Sequence, residues 1–367
     1  MQNHLLLRQL LQKGMIALED SDFLWQSPPP LPETFSFDKV EGMLLGLAIG
    51  DSLGNTTESK NPDVREEFYG EITDYLPNKY AGGERVGVPS DDTQMAFWTI
   101  EALLEDGYLD PDHLAQRFAK EQIFGIGKSV RQFLTAYKAQ QVPWQEAGTP
   151  SAGNGALMRI APVVLPYLRQ PSSDLWADAA LAGMVTHNDR ASNSACVAFT
   201  AMLWDLFGMD EPPSDAWWLE RYIEIASPLE GSETQYQSRM PGLDYSGPIW
   251  KFVQEEITRA VHKGWTTLQA SNIWGSGAFL LETVPNTLYI LMRYAHDPEQ
   301  ALIRAVNDTR DNDTVAAIVG AAIGALYGKD ALPPRWVDNL LGRTNDHNDG
   351  HVFKLIKQAR TRLWELE

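Results

Sequence analysis

Two apolar segments carry glycine at every fourth position: Gly42, Gly46, Gly50 and Gly54 in GMLLGLAIGDSLG, and Gly320, Gly324 and Gly328 in the run that ends GALYG. Residues four apart share one face of an α-helix, and glycine inside a helix costs roughly 1 kcal/mol relative to alanine. A stripe of it marks a face on which another backbone comes close. In a bilayer such spacing packs spanning helices, but both runs fall short of the ~20 residues that a span requires. The expectation is two helices packed closely at the centre of a soluble bundle.

The remaining periodicity agrees. TQMAFWTIEALLEDG, HLAQRFAKEQ, SACVAFTAMLWDLFG, IWKFVQEEITRAV and HVFKLIKQARTRLWELE place apolar residues at i, i+3 and i+4, while alternating strand patterns are scarce. The expected fold class is therefore all-α, a helical bundle with long loops. EPPSDAWW (211–218) and the polar stretch from Gly231 to Gly247 are expected as surface loops or an insertion. With 367 residues and no low-complexity linker, the chain suits one large domain, residues 37–367, plus an appendage. The appendage is residues 1–36, a short amphipathic helix in HLLLRQLLQKGMIALED followed by the extended tether SPPPLPETF. Such an arm either docks on its own domain or contacts a partner.

A formal charge of −19 argues against nucleic acid or an anionic membrane as the main partner. The single cysteine, Cys196, rules out an internal disulfide and is expected as a small buried residue in a reducing compartment. Arg8 interrupts the N-terminal leucines and no small-residue cleavage site follows, so no secretory signal is read and a cytoplasmic location is expected.

Charge then concentrates in unexpected places. In NDTRDNDTVAAIVG, Asp308, Asp311 and Asp313 crowd against an apolar helix, and in SDDTQMAFW, Ser90, Asp91 and Asp92 stand at the entrance to another. Either cluster alone reads as a helix cap. Together, carboxylate and hydroxyl oxygens from two helix starts suit an all-oxygen cage for hard divalent cations, Mg2+ or Mn2+. The four charges of Asp91, Asp92, Asp311 and Asp313 would neutralise two such ions, and paired ions orient hydroxyls and activate water. Zinc is disfavoured, because His and Cys are few and unclustered. In GDSLGNTTE, Asp51 and Glu58 flank a turn from which Glu58 could act as gate, ligand or general base. TPSAGNGALMRIAPV offers Gly153, Asn154 and Gly155 as a backbone nest able to take positive φ, which with Arg159 could cradle a phosphate. In THNDRAS, His187 could contact a sugar or base.

Taken in order, GDSLGNTTE, SDDTQMA, SAGNGALMR, Thr186-His187, ETVPNTLY (282–289) and DNDTVAAIVGAAIGALYG resemble the ADP-ribosylglycohydrolase family over roughly residues 38–330. The resemblance implies a compact all-α fold with two Mg2+ or Mn2+ ions and hydrolysis of the bond between ADP-ribose C1″ and an acceptor side chain. It also implies Ser90, Asp91, Asp92, Asp311, Asp313 and Thr314 as metal ligands, Glu58 and Asp92 as catalytic acids, and Ser151, Gly153, Asn154, Gly155 and His187 as substrate contacts. Arginine is the expected acceptor on an ADP-ribosylated protein substrate. Thr309 and Arg310 stand where many members have Gly-Gly. Some similar bacterial proteins serve as immunity proteins, so the arm, residues 1–36, could cover an ADP-ribosyltransferase toxin. On that division of labour, removing the arm would spare hydrolysis.

Overall fold

The computed structural model describes residues 3–348 and 350–365; Met1, Gln2 and the last two residues of the expected C-terminal helix lie outside the described residues. The fold is all-α, with one two-stranded hairpin among the described residues, Tyr236–Gln237 paired antiparallel to Ser246–Gly247. Among the described residues no helix is long and apolar enough to cross a membrane.

At the centre, helix Phe37–Gly54 runs against helix Asn312–Tyr327, and both are buried along nearly their whole length. The glycine stripes meet. A Cβ on Gly46 would collide with the carbonyl of Gly320, one on Gly320 with the carbonyl of Gly46, and Gly42 and Gly324 exclude each other's side chains in the same way. Gly50 lies on the Ala316 carbonyl and Gly54 on the Asp313 backbone. Helices normally pack with axes 8–10 Å apart; here backbone meets backbone, so the register between the two is set to within a residue. That register carries the C-terminal end of the first helix to the N-terminal end of the second. Helices Asp91–Asp106, Arg190–Phe207, Leu280–Tyr294 and Pro298–Asp308 pack around this pair, and Asp174–Thr186 packs behind them on Arg190–Phe207.

Residues 215–218 of EPPSDAWW are not a loop. They open helix Asp215–Glu230, in which Trp218, Tyr222, Ile225 and Leu229 recur at helical spacing and are buried. The prolines ahead of Ser214 mask that start.

The arm lies on its own domain. Helix Asn3–Gln12 packs against helix Asp174–Thr186, burying Leu7 and Leu10. Asn3 Nδ2 donates to the Leu109 carbonyl at 2.7 Å and to Asp178 at 2.6 Å. Further along, the indoles of Trp176 and Trp204 donate to the carbonyls of Gln26 and Pro29. The apolar face that an arm would need for a toxin is thus taken up by the chain itself.

Because Gly46 and Gly320 touch backbone to backbone, Gly46→Ala and Gly320→Ala should each destabilise the protein by about 3 kcal/mol, the overpacking penalty of a crowded core. Urea denaturation measures this, and an unchanged midpoint in either variant would contradict the packing described.

Candidate active site and metal centre

Three chain segments converge on one end of the central helix pair. Helix Phe37–Gly54 brings Asp51 and, after the short turn Asn55–Thr57, Glu58. The start of Asp91–Asp106 brings Asp91 and Asp92, and the start of Asn312–Tyr327 brings Asp311 and Asp313. Carboxylate oxygens of Asp51, Asp92 and Asp313 lie within 4.8 Å of one another, and those of Glu58, Asp311 and Asp313 do the same. Asp313 belongs to both triads, so the two oxygen clusters adjoin.

Of the residues expected from sequence, Glu58, Asp92, Asp311 and Asp313 form these triads. Ser90, Asp91 and Thr314 flank them. The Ser90 hydroxyl donates to Asp51 at 2.6 Å, the Asp91 carboxylate lies on the cavity wall beside Gly125, and the Thr314 amide donates to Asp313 at 2.9 Å. By sequence Asp51 is only the flank of a turn. It is fully buried and accepts from the amides of Ser90 and Thr93 at 2.8 and 3.1 Å, thereby capping helix Asp91–Asp106 from another element. A lone carboxylate inside an apolar helix was the available signal. Asp308 stands apart, accepting from Thr267 and paired with Arg304 at 3.4 Å.

The centre is electrostatically unfinished. Burial and neighbouring carboxylates hold Asp91, Asp92 and Asp313 well above the usual carboxylate range, burial raises Asp311 to about 6, and burial with the charges of Asp311 and Asp51 raises Glu58 to about 7. Asp92 Oδ1 is buried without any hydrogen-bond partner. Hard oxygen donors crowded this closely, with an unanswered acceptor among them, fit a divalent cation such as Mg2+ or Mn2+.

Beside the triads lies a cavity of 790 Å³ whose wall includes Ser151–Gly155, His187, Lys128 and Arg239. Neither Gly153, Asn154 nor Gly155 takes positive φ. Glycine is needed there for space instead: a Cβ on Gly155 would come within 2.9 Å of His187 Cε1, and one on Gly153 within 3.2 Å of His187 Nε2. Asn154 Nδ2 donates to Asp311 at 2.6 Å and to Thr283 Oγ1 at 3.0 Å, tying the loop to the acid cluster. The Thr149 amide donates to the Thr186 carbonyl at 3.0 Å, tying its other end to the histidine.

Arg159 does not reach the cavity. It is 1% exposed, lies over the Phe118 ring, and donates to the Ala182 carbonyl at 3.0 Å and to Thr186 Oγ1 at 2.7 Å. Since Thr186 Oγ1 accepts from Arg159, its own proton is free to go to His187 Nδ1, 2.9 Å away. In the tautomer that accepts this proton at Nδ1, the ring proton lies on Nε2, beside Gly153. Burial and the Arg159 charge push His187 down to about 3, so it is a neutral N–H donor. Positive charge at the cavity comes from Lys128 and from Arg239, which sits over the Phe279 ring at 4.2 Å. Arg239 belongs to the 231–247 stretch expected only as surface.

ETVPNTLY is scaffold. Glu282 accepts from the Gly277 amide at 2.6 Å and Asn286 donates to the Gly275 carbonyl at 2.7 Å, shaping the loop whose Ser276 carbonyl accepts from the Asp311 amide. Thr309 has φ −122°, ordinary extended backbone, so glycine is not needed there. Arg310 adds a grip: its carbonyl accepts from the Ser59 amide at 3.0 Å and its Nε donates to the Ser59 carbonyl at 3.2 Å. A second cavity of 590 Å³, walled by Tyr80, Phe124 and Arg343, shares Glu58 and Gly125 with the first. A cleft of 820 Å³ around His113 and Lys138 holds none of these acids.

Adjoining carboxylate triads beside a glycine loop in an all-α fold define a candidate metal centre on a ligand cavity, and comparison identifies the family. The ADP-ribosylglycohydrolase profile matches residues 32–366, and the chain belongs to that family. It is similar to the ADP-ribosylarginine hydrolase Tri1 of Pseudomonas putida, at 28% identity over 90% of this chain and 80% of that one. The ADP-ribosyl-[dinitrogen reductase] glycohydrolase of Rhodospirillum rubrum is 27% identical over 83% of this chain and 90% of its own. Among solved structures, one titled ADP-ribosylglycohydrolase-related protein complex superposes with a TM-score of 0.62 at 26% identity, covering 88% and 98% of the two chains.

The raised carboxyls make a pH prediction. For Asp311 (3.8 raised to about 6) and Glu58 (4.5 raised to about 7), the folded protein binds more protons than the unfolded chain between those limits. Stability from these groups is therefore present at low pH and lost as pH rises through that window. With chelator, the melting temperature should fall from pH 4.5 towards 7; excess Mg2+ should restore it, and Asp313→Asn should raise the chelated value while weakening the Mg2+ effect. A melting temperature indifferent to Mg2+ at pH 7.5 would contradict the metal assignment.

Proposed function

We propose that this chain is a Mg2+- or Mn2+-dependent hydrolase that removes ADP-ribose from modified protein side chains, with arginine as the acceptor. The observation that carries the reading is the meeting, at one cavity, of the shared carboxylate triads with the Ser151–Gly155 loop and the neutral N–H of His187. The name of the Pseudomonas putida relative supports arginine. A single, fully buried thiol suits a reducing, cytoplasmic setting.

Asp51, Asp92 and Asp313 on one side, and Glu58, Asp311 and Asp313 on the other, would hold the ions, with Ser90, Asp91 and Thr314 at the margins. When bound, the cations supply Lewis acidity towards hydroxyl and water oxygens. The chain does the rest. The Ser151–Gly155 backbone, His187 Nε2–H and Arg239 receive the diphosphate. Glu58, at the exposed edge of its triad and on the cavity wall, accepts a proton from water as the water oxygen bonds to C1″. Asp92 Oδ1 is the second available acceptor. The C1″–N bond breaks, its electron pair leaves with the guanidine nitrogen, and the proton on Glu58 passes to that nitrogen. Positive charge developing on the ribose faces the carboxylate cluster. Because Glu58 also borders the Tyr80–Phe124–Arg343 cavity, the acceptor side chain has a route out on that side.

Incubating proteins ADP-ribosylated on arginine or on serine, with Mg2+ or with chelator, and following free ADP-ribose tests this. Release from arginine that chelator abolishes is expected; release only from serine would overturn the acceptor, and none from either would overturn the function. Glu58→Gln should lower kcat by about 100-fold, the usual contribution of a general base. Arg239→Ala should raise KM about tenfold with kcat retained, as loss of a binding contact does.

A further inference from the structure

The arm looks like an accessory to the fold, yet it reaches the site. The family profile begins at residue 32, so residues 3–31 are additional to it. Immediately after the arm helix, the chain crosses the turn that carries His187. The Ala17 amide donates to Asn188 Oδ1 at 2.8 Å, and Asn188 Nδ2 donates to the Met15 carbonyl at 2.7 Å. The side-chain amide of Asn188 thus pairs with the arm as a peptide group pairs with a neighbouring strand. Asparagine offers donor and acceptor together at that reach. Asn193 Nδ2 reinforces the pair, donating to the Ala17 carbonyl at 3.0 Å and to Asn188 Oδ1 at 3.3 Å. Ile16 and Leu18 are buried beneath, the Glu19 amide donates to the Leu229 carbonyl at 2.8 Å, and Glu19 pairs with Arg190.

On its other side Asn188 is wedged against the loop. A Cβ on Gly148 would lie 3.1 Å from Asn188 Cβ, and the next residue, Thr149, bonds the Thr186 carbonyl. His187, one residue away, packs its ring against Gly153 and Gly155. Contacts therefore run from residues 15–19 through Asn188 to His187 and the glycine loop, and through Asn154 to Asp311.

We propose that residues 15–19 are a strap that positions His187 and the glycine loop for the ligand, with Asn188 as the positioning residue through which it acts. The ligand concerned is the ADP-ribose moiety, so this inference rests on the function proposed above. It reverses the expectation that removing the arm would spare hydrolysis: the arm serves this chain's own site.

The test compares full-length Asn188→Ala with full-length Leu7→Ala, which weakens the arm helix but leaves the strap bonds untouched. Calorimetry with free ADP-ribose in excess Mg2+ reads binding, and amide hydrogen exchange of residues 149–155 and 186–190 without ligand reads positioning. Asn188→Ala should weaken ADP-ribose binding about tenfold, a hydrogen bond or two in magnitude, and quicken exchange in both segments. Leu7→Ala should lower the melting temperature with affinity and exchange there unchanged. In hydrolysis, Asn188→Ala should raise KM with kcat within about twofold. The strap is overturned if Asn188→Ala leaves exchange or affinity unaltered, or if Leu7→Ala produces the same changes. Should the unaltered chain bind no ADP-ribose, the functional reading falls, and the exchange comparison alone decides whether the strap holds the His187 turn.

Discussion

Backbone contact between the two central helices is the constraint on which the site depends. Gly42, Gly46 and Gly50 admit Gly324, Gly320 and Ala316 so closely that no side chain could intervene. At such separation the helices cannot slide by a residue without clashing. The fixed register delivers Asp51 and Gly54 to the start of the second helix, where Asp311 and Asp313 stand. Gly54 against the Asp313 backbone is the last tooth of the contact and adjoins the carboxylate cluster.

The stability of that packing allows the chain to keep like charges together. Six carboxyls are gathered together, Asp51, Asp92, Asp311 and Asp313 buried, Asp91 half-buried and Glu58 at the exposed edge, and each is raised above its ordinary pKa. Left unneutralised the arrangement is destabilising, and divalent cations would relieve it, because oxygens that could hold them are already assembled. Around it, contacts outside the acid cluster set the geometry: Asn154 bridges the glycine loop to Asp311, Arg159 holds the Thr186 hydroxyl beside His187, and Asn188 joins the arm to that same turn. The polar network is as much a part of the site as the acids.

The helical class and the two acidic clusters were legible in the sequence because both are local patterns: apolar residues at i, i+3 and i+4, and carboxylates massed at helix starts. So were the glycine loop and His187, through short motifs in a fixed order. Other features were hidden. Asp51 looked like a turn residue because its partners, Ser90 and Thr93, lie some forty positions away. Arg159 follows the glycine loop as a phosphate-binding arginine would, yet its backbone enters the core and the guanidinium ends over Phe118. Arg239 sits in a polar stretch with no periodicity to recommend it, and on the cavity wall it lies over the Phe279 ring. Gly153 and Gly155 were read for backbone freedom, whereas the need is room for an imidazole.

By itself, then, the sequence determined most of the elements: the helices with an unbroken apolar period (though not the proline-masked start of Asp215–Glu230), where the glycine stripes stand, and which oxygen-rich starts carry charge, since these follow from side-chain size, helix period and local capping. Tertiary structure alone decided which charges face one another, that one aspartate serves both triads, that the arm grips Asn188, and which arginine points at the cavity. Those outcomes depend on distances between residues remote in the chain. Such distances are set by how closely packed helices approach and at what register, and no spacing along the sequence encodes them.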